Sequence, residues 1–229
     1  MKIPKLILLP FLALSLASAS AAVITRFQTF TENAVLNDGT GLGNEFDQAT
    51  TLFSDIPGVT LSGLSVGLDI AGGFNGQLYA YLSHGAGFSV LLNRVGRDAA
   101  NPGGFIDPGL HVTLADSAAN GDMHIYTPNN QATPLTGTWA PDGRETDPLN
   151  TVTGNARTAM LSSFLGQSAD GVWTLYVEDV VSGQQATLNS WTLNLEVDTV
   201  PEPGTLALSA VVLCGVAGYA ARRYRRRAA

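Results

Sequence analysis

The chain has 229 residues, a formal charge of −7 and one cysteine, with 45% hydrophobic but only 14% charged residues. One cysteine excludes an intrachain disulfide framework, and the acidic balance argues against a nucleic-acid partner, whose phosphates it would repel. The 25 glycines and 11 prolines favour many short elements joined by turns over long helices.

The charge is unevenly placed. Lys2 and Lys5 open the chain, five arginines crowd its end, and between Val23 and Val200 five basic residues face eighteen acidic ones, with no lysine. After Lys5 comes the apolar run Leu6 to Leu16, too short to span a bilayer, and then the small residues Ala17, Ser18, Ala19, Ser20, Ala21 and Ala22. Positive start, apolar stretch and small-residue site stand in the order of a secretory signal peptide. Residues 1–22 are therefore expected to direct export, with cleavage between Ala19 and Val23. The region that follows, 23–199, is long enough for one globular domain with a full core.

Period-two patterns run through that region. Leu64, Val66, Leu68 and Ile70 alternate with Ser65, Gly67 and Asp69. Trp173, Leu175 and Val177 alternate with Thr174, Tyr176 and Glu178, and Trp191, Leu193, Leu195 and Val197 alternate with polar neighbours. Such alternation predicts strands with one buried and one wet face. Further strands are expected at 23–30, 77–83, 88–95 and 110–115, separated by turn signals such as Asp38-Gly39, Asn75-Gly76, Asn120-Gly121, Asp142-Gly143 and Ser182-Gly183. Only Thr158 to Leu165 reads as a short helix before the tail. The pattern predicts an all-β, antiparallel, jelly-roll-like β-sandwich with Trp173 and Trp191 on neighbouring strands, both rings between the sheets. Tyr126 to Asn155, rich in Pro, Asn and Thr, reads as an insertion.

Catalytic signatures are lacking. The three histidines, His84, His111 and His124, fall in no metalloprotease motif and no G-x-S-x-G elbow occurs, so they read as loop or strand-face residues. The glycine-rich Gly39 to Gly43 has no following lysine and reads as a loop rather than a phosphate cradle.

The tail has three parts. Val200, Pro201, Glu202 and Pro203 are expected to form an extended, helix-free stretch reaching Gly204. Thr205 to Ala221 carries no charge over seventeen residues, and Cys214 inside it reads as a small apolar residue. At about 1.5 Å per residue this run reaches roughly 26 Å, slightly short of a hydrocarbon core of about 30 Å. Arg222, Arg223, Arg225, Arg226 and Arg227 then form a stop-transfer cluster that would hold the end in the cytoplasm. The sequence thus predicts one C-terminal transmembrane helix at about 205–221.

Motif, apolar span and arginine cluster, in that order at the terminus, resemble the PEP-CTERM sorting signal of Gram-negative bacteria over 200–229. The resemblance implies an exosortase as processing partner, a transient single-pass inner-membrane anchor, and then the cell surface or the extracellular space, often alongside exopolysaccharide. A second resemblance lies in the middle of the chain. Gln77-Leu78-Tyr79-Ala80-Tyr81-Leu82, Leu161-Ser162-Ser163-Phe164-Leu165-Gly166, Gly171-Val172-Trp173-Thr174-Leu175, Asp179 and Leu188-Asn189-Ser190-Trp191-Thr192-Leu193 stand in the order seen in the P domain (Homo B domain) of proprotein convertases, over about 53–196. The family's histidine and Asp-Leu pair are replaced here by Ala71 and Gln77-Leu78.

A P domain supports a catalytic neighbour and does not itself cleave peptides. The resemblance implies a non-catalytic exported protein without cofactor, with Asp116, Asp170 and Asp179, which fall in the family's loop motifs, as candidate calcium ligands. Two other readings stay open: an accessory domain for a secreted subtilisin-like protease on another chain, and a carbohydrate-binding sandwich.

Overall fold

The computed structural model describes residues 22–56, 58–129, 133–199 and 203–227. The expected signal peptide lies outside the described residues save for Ala22, as do Val200, Pro201 and Glu202 of the sorting motif. Val23–Thr199 form one compact unit.

Among the described residues, nine strands build that unit: β1 (Ala22–Val35), β2 (Asn44–Thr50), β3 (Leu61–Gly72), β4 (Leu78–His84), β5 (Gly87–Asn93), β6 (Leu110–Leu114), β7 (Leu135–Trp139), β8 (Gly171–Asp179) and β9 (Ala186–Thr199). They form a five-stranded sheet in the order β1-β9-β3-β6-β7 and a four-stranded sheet in the order β2-β8-β4-β5. The pairs β3–β6, β3–β9, β2–β8, β4–β8 and β4–β5 are antiparallel.

The sheets share one core because the alternating residues of both point inward. Leu78, Ala80 and Leu82 of β4 and Trp173, Leu175 and Val177 of β8 meet Val66, Leu68 and Ile70 of β3, Leu110 and Leu114 of β6, and Trp191, Leu193, Leu195 and Val197 of β9. A register shift between Asp69 and Ile70 places Asp69 opposite Ser190 and Ile70 opposite Leu188. Asn189 is therefore the extra residue of a bulge, which lets Leu188 and Trp191 both face inward although two residues separate them.

Several expectations are corrected. The sandwich is not wholly antiparallel, since β7 runs parallel to β6. A crossover of twenty residues joins the two, long enough to return the chain to the same end of the sheet. The stretch from Tyr126 to Asn155 is not a simple insertion, because it supplies β7 and ties itself to the body. The expected short helix is a 3-10 turn at Leu161–Phe164. Trp173 and Trp191 are both fully buried, as their phase requires, yet they sit in opposite sheets with different ring neighbours.

The tail forms helix α1 (Pro203–Arg227). Pro203 and Gly204 thus begin a helix instead of continuing an extended stretch. Proline is tolerated in a first turn because its missing N–H would have had no partner there. Among the described residues no helix is long and apolar enough to cross a membrane, so the expected transmembrane helix at 205–221 is not seen as such. Arg222, Arg223, Arg225 and Arg226 are exposed near the C-terminal end of α1, where positive charge complements the helix dipole, and Arg227 is its last residue. Cys214 is exposed and free.

Candidate functional site

His111 lies on the outer face of β6 as expected, whereas His84 and His124 are buried. His111 is exposed and lies 3.6 Å from Asp69. His84 closes β4 on its inward phase and is buried, its ring stacked on Trp173 with centroids 4.1 Å apart and planes 6° apart. Its Nδ1 meets Val172 O at 2.7 Å and its Nε2 meets Ser168 O at 2.8 Å. The ring thus clamps the turn before β8 to the end of β4.

His124 lies in the 3-10 turn Met123–Ile125 and is fully buried. Its Nδ1 meets Asp142 Oδ2 at 2.7 Å and its Nε2 meets Arg97 O at 2.9 Å. A His–Asp pair is two-thirds of a catalytic triad. The nitrogen that would face a nucleophile faces a backbone carbonyl instead, in a place no substrate reaches. The pair belongs to a buried polar network. Arg144 donates from Nη1 to Asp142 Oδ1 at 3.1 Å and from Nη2 to Asp122 Oδ2 and Thr153 O, each at 2.8 Å. Burial works to lower the Arg144 pKa, but Asp122 and Asp142 together outweigh it and raise the value. Asn93 of β5 donates from Nδ2 to Arg144 O and Thr146 O, and its own N–H donates to Asp142 Oδ2. These bonds pin the segment after β7 to the edge of the four-stranded sheet. They replace the hydrophobic packing that so polar a segment cannot offer.

The three candidate calcium ligands do not converge. Asp116 accepts from Leu161 N at 3.0 Å and from Ser162 N at 2.8 Å, so it caps the 3-10 turn that begins there. Asp170 accepts from Phe53 N at 3.0 and 3.2 Å and holds the loop after β2. In both, the carboxylate serves backbone N–H groups. Asp179 is different: it is fully buried at the end of β8, and its carboxylate is met by the backbone N–H of Val181. Burial first, then neighbouring Asp38, push its pKa up to about 7. Among the described residues no three His, Cys, Asp or Glu side chains gather closely enough to hold a metal.

Two surface features escaped the sequence reading. Tyr79, Tyr81 and Tyr176 form an aromatic group on the outer face of the four-stranded sheet, with Tyr81 and Tyr176 stacked at 4.7 Å. The outward phase of β4 and β8 was legible, but their pairing register, Tyr81 opposite Tyr176, was not. On the outer face of the five-stranded sheet a shallow groove of about 400 Å³ is lined by Gly67, Asp69, His111, Thr113, Thr138 and Thr192 among others.

This geometry frames the comparison with known proteins. Residues 124–195 match the proprotein convertase P-domain. The matched stretch begins at His124, later than the resemblance expected from about residue 53, and takes in β7, β8 and most of β9. Residues 199–227 match the PEP-CTERM protein-sorting motif. No curated protein matches the chain. Among solved structures, similarity is found to the serine protease of Aeromonas sobria in complex with its chaperone (15% identity over 78% of this chain, TM-score 0.42) and to that protease alone (14% over 80%, TM-score 0.41). The chain spans 28% of the protease in each case.

Proposed function

We propose that this chain is a non-catalytic exported protein whose P-domain-like sandwich is delivered to the cell surface or the extracellular matrix by an exosortase. The observation that carries the reading is the PEP-CTERM match at 199–227, which begins where the compact unit ends. Residues 1–22 would serve as the export signal. The uncharged sequence run 205–221 would serve as a transient inner-membrane anchor, and Arg222–Arg227 would stop transfer. The absence of catalysis is supported by the sealed His124–Asp142 pair, the one buried His–carboxylate pair among the described residues. The test is to delete the exosortase gene of the host and follow the protein. In the wild type it should reach the surface or medium without its arginines. In the deletion it should stay full-length in the inner membrane.

A second reading is favoured by the P-domain match: the sandwich supports a secreted subtilisin-like protease on another chain. Recovery of such a protease on the affinity-tagged, surface-released protein would support it. Exopolysaccharide as a partner, and the carbohydrate-binding alternative, have no comparable observation behind them.

A further inference from the structure

An edge strand carries a row of N–H and C=O groups that no neighbouring strand takes up, and folded proteins blunt such edges. Among the described residues the two sheets have four edge strands, β1, β7, β2 and β5. Three are blunted. β2 is polar on nearly every position and exposes Glu45 and Asp47. β7 is five residues long and holds Gly137 at φ of +102°. β5 is covered by the segment after β7: Asp142 N donates to Leu91 O at 3.1 Å, Gly143 N to Val90 O at 2.9 Å, and Val90 N to Ala159 O at 3.0 Å.

β1 has none of these protections. It ends the five-stranded sheet beside β9 and runs for fourteen residues without proline, glycine or lysine. Among the described residues, no backbone hydrogen bond from a loop or from the other sheet reaches Val23–Val35. Its outward row is Thr25, Phe27, Thr29 and Thr31, all exposed, with Phe27 at 71%. These are residue types that pack well across paired strands. Thr29 Oγ1 lies 2.8 Å from Thr192 Oγ1, so the row continues the outer face of β9. Asn33, with φ of +47°, bends the chain, and the regular edge ends at Glu32.

The order of residues along this edge selects its partner. Antiparallel pairing with a second β1 about a two-fold axis at Thr29 sets Arg26 opposite Glu32 of the second copy, and symmetry repeats the pair. Phe27 then faces Thr31, and Gln28 faces Phe30. Opposite charges meet and like charges do not. Glu32 accepts from Trp191 Nε1 and Gln48 Nε2 through Oε1, which leaves Oε2 for the guanidinium. Sliding by two residues in either direction separates Arg26 from Glu32. A slip of one residue sets the exposed row of one copy against the inner row of the other.

We propose that β1 is a self-association edge, where two copies of this chain pair antiparallel about Thr29 into a dimer with one continuous ten-stranded sheet. Main-chain hydrogen bonds supply the affinity and the Arg26–Glu32 pairs the register. The contact uses the same strand on both copies and the other edges are blunted, so assembly closes at two. Both protomers are acidic, so salt, by screening their repulsion, strengthens the dimer. The inference does not rest on the sorting or P-domain readings, and its failure would leave both untouched.

The test is oxidative cross-linking of the full-length Cys214→Ser chain in detergent, with single cysteines at positions 27, 29 and 31. Directly opposed residues of an antiparallel pair have Cα atoms about 4.5–5.5 Å apart, within disulfide reach. Thr29→Cys faces itself and should give a covalent dimer. Phe27→Cys and Thr31→Cys each lie about 13 Å from their own copies, so neither should link alone, yet the two mixed should link to each other. Sedimentation of the Cys214→Ser parent should show a dimer. Thr29→Lys, which sets two ammonium groups face to face, should shift it to monomer with Tm unchanged. A parent that stays monomeric at 100 μM overturns the proposal. So does a dimer that Thr29→Lys leaves intact, or one that links equally at all three positions, since it forms through the tail or another face.

Discussion

Truncating Trp191 to alanine removes one of the side chains that pack the N-terminal strand onto the rest of the sandwich. The indole is fully buried on β9, its ring 4.6 Å from that of Phe30 on β1, and its Nε1 donates to Glu32 Oε1 at 3.0 Å. Loss of a buried Trp costs about 3–5 kcal/mol through lost transfer energy and the cavity left behind. The lost hydrogen bond adds little, because Glu32 Oε1 also accepts from Gln48 Nε2 at 3.1 Å and is not orphaned. The sum is a large share of the roughly 5–15 kcal/mol that holds a domain folded. Urea unfolding of the full-length chain in detergent, followed by far-ultraviolet circular dichroism, should show the midpoint falling with the slope unchanged. Trp191→Phe keeps most of the packing and should lose clearly less than Trp191→Ala, through the smaller cavity left where the indole's second ring stood. A neutral Trp191→Ala would refute the placement of this ring in the core. If that variant also lost binding to a polysaccharide, the ring would be a sugar platform.

Further outcomes follow from the other sites. Trp139→Ala should cost well under half as much as Trp191→Ala in the same assay, because Trp139 is half-buried on an edge strand with its Nε1 donating to Thr136 O. Asp142→Ala leaves a ring nitrogen of fully buried His124 and the N–H of Asn93 without their acceptor while Arg144 keeps Asp122, and should cost about 1–3 kcal/mol, the penalty of unsatisfied buried polar groups. Burial pushes Tyr79 and Tyr176 up to about 12, so absorbance titration should find them ionising later than free tyrosine; their contribution, present below pH 10, is lost as pH rises through 12. The purified protein should hydrolyse neither casein nor peptide esters, and turnover abolished by one Ser, His or Asp substitution would overturn the non-catalytic reading.

The inner faces of the sandwich were legible because each obeys period two over a long run. Val66-Leu68-Ile70, Trp173-Leu175-Val177 and Trp191 to Val197 announce strand and buried phase together. β2 was not legible, since Asn44, Glu45, Asp47 and Gln48 make an edge strand polar on nearly every position. β7 was hidden by its shortness and by Gly137. Polar packing was hidden altogether. His84 and His124 are read from sequence as loop or strand-face residues and Asp142 as part of a turn, and only the fold brings each its partners, Arg144 among them. Asp179 was visible as a carboxylate in a loop motif, grouped with Asp116 and Asp170. That grouping failed because the latter two are spent on backbone N–H groups. Asp38, its true neighbour, was read only as half of an Asp-Gly turn, and no local signal could link positions so far apart in the chain.

The sorting account is tested most directly by the intact mass of the mature protein recovered from the cell surface or medium, compared between wild type and a variant with Pro201, Glu202 and Pro203 replaced by alanine. The account predicts a wild-type mass that lacks residues 1–22 and the end carrying Arg222–Arg227, and a variant retained in the inner membrane with its arginines in place. A variant that leaves the cell with the same mass as the wild type would contradict it.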